Sequence, residues 1–221
     1  MLGRVLRLVR LATGRLPLDL RSDLLTPTQL DGIVDGRIDI GFMVRPDCPP
    51  PAELVMHTLL VESLAVVLPD GHPLAGYDAV PLAEMANDDF VSFPADSGSA
   101  VRWLFENACR TEGFQPRIVH EARDTGTLLG LVAAGLGSAV FPLSVRDGAA
   151  AGVTVRPLAE HPPVEIVMVW RRTEQRRLVR EVVDTINHDF GSPQRPGRDP
   201  EPARQGGHSR IPVVQLPTTV R

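Results

Sequence analysis

No lysine occurs among the 221 residues; apart from histidine, every basic side chain is arginine. That excludes a Schiff-base lysine and the lysine of a phosphate-binding P-loop. Cysteine is nearly absent too. Cys48 and Cys109 stand far apart, with no CxxC and no histidine at metal-ligand spacing, so two inert thiols in a reducing cytoplasm are expected. No run approaches the roughly 18 apolar residues that a membrane helix needs. The basic start, MLGRVLRLVRLATG, is broken by Arg4, Arg7 and Arg10, which leaves no h-region for a secretory signal. Leu2, Val5, Leu6, Val9 and Ala12 instead fall at the spacing of an amphipathic helix.

Catalytic patterns are equally scarce. GLGSAV (135–140) begins like a dinucleotide fingerprint, but it ends in valine and follows a helix where a strand is required. The histidines at 57, 72, 120, 161, 188 and 208 form no HxxxH or HExxH pair and read as surface residues. Ser97 and Ser99 lack the strand and elbow of a GxSxG nucleophile. Asp88-Asp89, at a helix-to-strand junction, suits a solvated turn better than an acid–base pair. Nothing here names an enzyme, a metal site or a cofactor.

Charge separates the chain into two parts. The residues after Phe190 are rich in Pro, Gly and Arg, without periodicity, and read as a disordered tail over 191–221. Five of the 23 arginines fall there against Asp199 and Glu201, which leaves residues 1–190 at −7. An acidic body is a poor partner for a phosphate backbone.

Helix and strand patterns alternate along that body. Helices are expected at 2–13, 26–36, 82–88, 97–113, 125–137 and 176–190. Strands are expected at 16–25, 38–44, 62–69, 89–94, 117–122, 138–142, 152–158 and 164–170. The order implies an α/β fold on largely parallel sheets. The loops 45–60 and 160–165 are natural places for the chain to pass between two lobes. Thr26 is expected to cap a helix with Pro27 in its first position, Ser97-Gly98-Ser99 opens a second helix, and Asp124-Thr125-Gly126-Thr127 a third. Each is in the first place an N-cap, but free N–H groups and hydroxyls at helix starts also suit anions. In open α/β sheets such starts lie where ligands bind, outside the carboxyl ends of the strands.

Five segments in this order make the chain resemble a known family: LDGIVDGRIDIGF (30–42), ESLAVVLPDGHPLA (62–75), CRTEGFQPRIVHEA (109–122), LLGLVAAGLGSAVFP (128–142) and VEIVMVWRR (164–172). Together they resemble the effector-binding domain of LysR-type transcriptional regulators over residues 1–190. The resemblance implies a type II periplasmic-binding-protein fold, with lobe I at 1–61 plus 163–190 and lobe II at 62–162. It implies a small-molecule effector, an organic anion, in the cleft between them. It also implies a cytoplasmic homo-oligomer with no membrane association that reaches DNA only through a helix-turn-helix, and that module is absent from this chain.

For the site, the resemblance matches Thr26 to a cleft hydroxyl and Phe42 and Met43 to the end of a lobe I strand. It matches Ser97, Gly98, Ser99, Arg123, Asp124 and Thr125 to the edges of lobe II. It further implies a first lobe I strand between those at 16–25 and 38–44, and no segment at the start of the sequence supplies it. Lobe I is therefore expected to show open strand edges. Two alternatives stay open: a free-standing solute-binding protein of the same fold, and a small α/β enzyme.

Overall fold

The computed structural model describes residues 2–14, 18–21, 24–149, 151–191 and 213–215. Parts of the expected strand at 16–25 and most of the expected disordered tail lie outside these residues. The described chain divides into two compact units: residues 2–61, 165–191 and 213–215 form unit 1, and residues 62–164 form unit 2.

Unit 1 is a sheet with helices on both faces. Helix α1 (Leu2–Thr13) buries Val5, Leu8 and Val9. Helix α5 (Arg177–Phe190) buries Val179, Val182, Val183 and Ile186, the i, i+3, i+4, i+7 stripe of an amphipathic helix. Both pack on Ile40 and Phe42 of strand β2 (Ile40–Val44) and Met168 of strand β8 (Pro163–Arg171), where the half-buried Trp170 joins them. Arg4 ties α1 to α5, its guanidinium 4.1 Å from the Phe190 ring centre and its Nε donating to Asp189 at 2.6 Å.

On the other face, Met43, Val167 and Val169 pack with Ile33 of helix α2 (Thr26–Val34). That helix lies close because two glycines admit it. A Cβ on Gly41 would sit 2.8 Å from Ile33 Cδ1, and one on Gly32 2.5 Å from Ile38 Cδ1.

Strand order in unit 1 runs β1 (Asp19–Arg21), β9 (Val213–Gln215), β2, β8, and then the first part of β3 (Leu54–Pro69). Strand β9 runs antiparallel to both neighbours, pairing Arg21 with Val213 on one side and Gly41 with Val213 on the other. The place expected to stand open is thus filled from the far end of the chain. At 213–215 the structure departs from the reading of 191–221 as disordered. Two adjacent valines between Pro212 and Pro217 are a strand-forming pair bracketed by strand-stopping residues.

Unit 2 is built on the second part of β3. Strand β6 (Ala139–Pro142) pairs with it antiparallel on one side, and strand β7 (Val153–Pro157) on the other. Strands β4 (Asp89–Ser92) and β5 (Arg117–Glu121) form a parallel pair, extended toward β6 by a bridge from Phe90 to Ser138. Helices α3 (Ala100–Thr111) and α4 (Thr125–Ala133) cover them, contributing Phe105, Leu128 and Val132 to the core. The Phe90 and Phe105 rings meet at 4.9 Å between centroids, while Trp103 of α3 faces solvent. Glu62 accepts from the Ser144 N–H at 2.7 Å and its hydroxyl at 2.8 Å, and burial pushes its carboxyl above the usual range.

Several local expectations are corrected. Among the described strand pairs of named elements, only β4–β5 is parallel, because β3, β8 and β9 run back through their sheets. Residues 54–60, expected as loop, belong to the long β3. The expected helix at 82–88 is a 3₁₀ turn, Leu82–Met85.

Candidate functional site

Strands β4 and β5 end side by side, with Ser92 paired to Glu121, so both chains leave the sheet at one edge. Past Ser92 the chain turns through Ala95–Ser97 and Gly98, then enters α3. Gly98 takes the left-handed conformation, φ +62°, that glycine adopts without steric cost. The Ser97 hydroxyl donates to the Pro94 carbonyl at 2.6 Å, and the Ser99 hydroxyl caps α3 by accepting from the Arg102 N–H at 3.3 Å.

Past Glu121, the Ala122 N–H donates to the Ser92 carbonyl at 3.1 Å, which extends the pairing beyond the strands. Arg123 follows, mostly exposed, with its guanidinium 3.5 Å from the equally exposed Asp96 carboxylate. Asp124 caps α4, its carboxylate accepting from the Thr127 N–H at 2.9 Å and the Thr127 hydroxyl at 2.7 Å.

The structure therefore brings Ser97, Gly98, Ser99, Arg123, Asp124 and Thr125 to one edge of unit 2. The two helix starts are not equivalent. The Asp124 carboxylate already occupies the start of α4, where it would repel a second anion. The start of α3 carries only the neutral Ser99 cap and lies next in the fold to the loop bearing Arg123. An exposed ion pair such as Arg123–Asp96 stabilises by about 0–1 kcal/mol, so exchanging Asp96 for a ligand carboxylate costs little.

Arg102, which the sequence analysis did not single out, holds this edge together. Its Nη1 donates to the Phe93 carbonyl at 2.6 Å and also pairs with Glu121, while its Nε donates to Glu106 at 2.7 Å. One guanidinium thus fastens the exit of β4, the exit of β5 and the second turn of α3. Only the i, i+4 spacing to Glu106 was visible in advance; the tie to Glu121 depends on the fold.

The other three candidates belong to unit 1. Thr26 is buried and is the first residue of α2, with Leu25 in the cap position and Pro27 second, so the expected Thr26 cap is corrected. Phe42 and Met43 are buried on opposite faces of the sheet, in two separate hydrophobic clusters. Their side chains serve packing.

A pocket of about 370 Å³ lies on a different part of unit 2, lined by His72, Asp88, Asp89, His120 and residues 135–138, and contains none of the nine candidates. In its lining His72 Nε2 lies 3.3 Å from Asp88, and Asp89 pairs with Arg117 at 2.7 Å. Among the described residues no group of His, Cys, Asp and Glu is placed to hold a metal, and no helix is long and apolar enough to cross a membrane. Neither thiol forms a disulfide: Cys48 is exposed, and burial pushes the Cys109 thiol up to about 12.

The helices on each sheet, the two passages of the chain between units and the paired helix starts define a two-lobed α/β ligand-binding domain of the periplasmic-binding-protein type. The sequence matches the LysR substrate binding domain over residues 2–191, and the chain belongs to that family. It is 30% identical to the Hca operon transcriptional activator of Escherichia coli over 87% of this chain and 64% of that protein. It is thus similar to a longer regulator, of which it spans less than two thirds.

Among solved structures, it is similar to the C-terminal domain of a probable LysR family transcriptional regulator from Rhodococcus sp. RHA1. That match has a TM-score of 0.68 at 26% identity and covers 85% of this chain and 92% of that one. It is also similar to the effector binding domain of BenM with its effector benzoate. There the TM-score is 0.69 at 25% identity, with coverage of 86% and 85%.

Proposed function

We propose that this chain is the effector-sensing part of a cytoplasmic, homo-oligomeric LysR-type transcriptional regulator and that its effector is a small organic anion. The observation that carries this reading is the Ser97–Ser99 helix start with Arg123 on the shared edge of β4 and β5. Backbone N–H groups, hydroxyls and one exposed guanidinium converge there, the donor set that recognises a carboxylate. Thr26 adds a hydroxyl from unit 1. With their side chains buried, Phe42 and Met43 contribute through their backbone. Asp124 and Thr125 shape the edge as cap and first turn of α4. Contact with DNA belongs to a helix-turn-helix outside this chain, in keeping with a −7 body that offers a phosphate backbone little attraction. No catalytic step is assigned to the domain.

Thermal shift measurements test this directly. Small carboxylates such as benzoate should raise the melting temperature, and uncharged analogues such as benzamide should raise it less. Ser99→Ala, Thr26→Val or Arg123→Ala should weaken binding by about 0.5–1.5 kcal/mol per neutral hydrogen bond lost, and by up to about 3 kcal/mol where the bond is charged. A broad carboxylate panel that leaves well-folded protein unshifted would overturn the assignment.

A further inference from the structure

Strand β9 lies between β1 and β2, and these two do not pair with each other. Its three residues pair with Asp19–Arg21 on one side and with Ile40 and Gly41 on the other. Among the described residues β1 has no other strand partner, so β9 alone joins β1 to the sheet. Removing it would expose the outer edge of β2 at Ile40 and Gly41, two residues otherwise fully enclosed. The occupant is short, apolar and β-branched, stands between Pro212 and Pro217, and is separated from α5 by a Pro-, Gly- and Arg-rich stretch. Covalent connection to α5 makes the pairing of this three-residue ladder intramolecular, so it does not depend on protein concentration as a free segment's pairing would.

We propose that the slot between β1 and β2 is a strand-acceptor site, filled in cis by Val213–Gln215 of the same chain. The site takes an extended, β-branched apolar segment by strand addition, with main-chain hydrogen bonds to both neighbours. The internal occupant exchanges with a competing segment of the same chemistry. The tail is therefore a built-in ligand of unit 1, and the slot is a surface distinct from the edge of β4 and β5.

Two experiments on the full chain decide this, both with Cys48→Ser to remove the exposed thiol. In the first, Arg21→Cys is combined with Val213→Cys, which are Cα partners. Mild oxidation should join them within one chain, at least tenfold faster than the off-register pair Leu20→Cys with Val213→Cys. Equal rates for the two pairs, or cross-links only between chains, would overturn occupation in cis.

In the second, Val213→Pro with Val214→Pro removes the donor strand. Hydrogen exchange should then accelerate at least tenfold across 38–44, while β4 and β6 keep their protection and show the protein to be folded. Unchanged exchange across 38–44 would sink the proposal. A synthetic peptide with the sequence of 211–217, added at millimolar concentration, should restore the protection. Failure of the peptide to do so would show that the slot does not exchange its occupant.

Discussion

Unit 1 draws together residues from both ends of the described chain, whereas unit 2 is built from one continuous stretch, residues 62–164. In unit 1, Asp19 meets Gln215 and Phe42 meets Met168; in unit 2 the β4–β5 pair joins segments separated by a single helix. Bringing distant segments together costs loop-closure entropy before any contact offsets it. Unit 2 should therefore order early and independently, and unit 1 should form only once both ends of the chain are in place.

Their charges differ in the same sense. Unit 1 encloses a network in which Asp39, fully buried, is bonded by Arg176 and lies 3.9 Å from Arg171. Glu174 accepts from both arginines, at 2.7 Å from Arg176 and 2.5 Å from Arg171. This network ties the turn before β2 to the turn between β8 and α5. Unit 2 has the more open Arg102 cluster, whose carboxylates reach solvent.

Asp39→Ala should give the largest separation between the units. It removes the buried carboxylate that both arginines face and leaves them on Glu174 alone; breaking a buried pair from one side costs up to about 3–5 kcal/mol. Protection should collapse across β2 and α5 in hydrogen exchange while β4 and β6 hold. Loss in both units together would show that they unfold as one.

Acid should separate them next, and more gently. Hydrogen bonding from Arg176, supported by Arg171, holds the Glu174 carboxyl at about 2, against an ordinary 4.5. A depressed carboxyl stabilises the fold above its unfolded value and loses that contribution as pH falls. Unit 1 should thus weaken between about pH 4.5 and 2, by on the order of 3 kcal/mol at most. In a Glu174→Gln variant, unfolding by denaturant should lose most of this pH dependence. An unchanged slope would remove Glu174 from the account.

The smallest effect belongs to unit 2. Ser99→Ala removes one cap from α3 and should cost about 1 kcal/mol, confined to that unit. Ser99→Asp should keep the cap yet place a negative charge where the effector anion is proposed to bind. A stable Ser99→Asp protein that binds carboxylates undiminished would move the site away from α3.

How much was legible in the sequence follows from the range of each interaction. Helix α1 lies where its apolar spacing put it, and strand β8 extends one residue beyond the expected 164–170 at each end. Both patterns are complete within a dozen residues. The starts of α3 and α4 were legible for the same reason, since Ser99 and Asp124 bond to N–H groups three residues on. Strand β3 begins eight residues earlier than expected, at Leu54, because three consecutive prolines just before it made the stretch read as loop. Thr26 sits one place inside its helix because a Thr-Pro pair fits both the cap and the first turn. Arg102 and β9 were beyond reach: what makes them matter is a partner on another element, and no local pattern carries that information.

The two tryptophans make the comparison between units an optical one. Trp170 is half-buried in unit 1 and Trp103 stands exposed on α3 of unit 2; the sequence has no third. Each unit thus carries its own chromophore, one in a drier setting and one in water. Trp103→Phe leaves an emission that reports on unit 1 alone, and Trp170→Phe one that reports on unit 2. Sequential and concerted unfolding then differ in colour as well as in amplitude, without any added label.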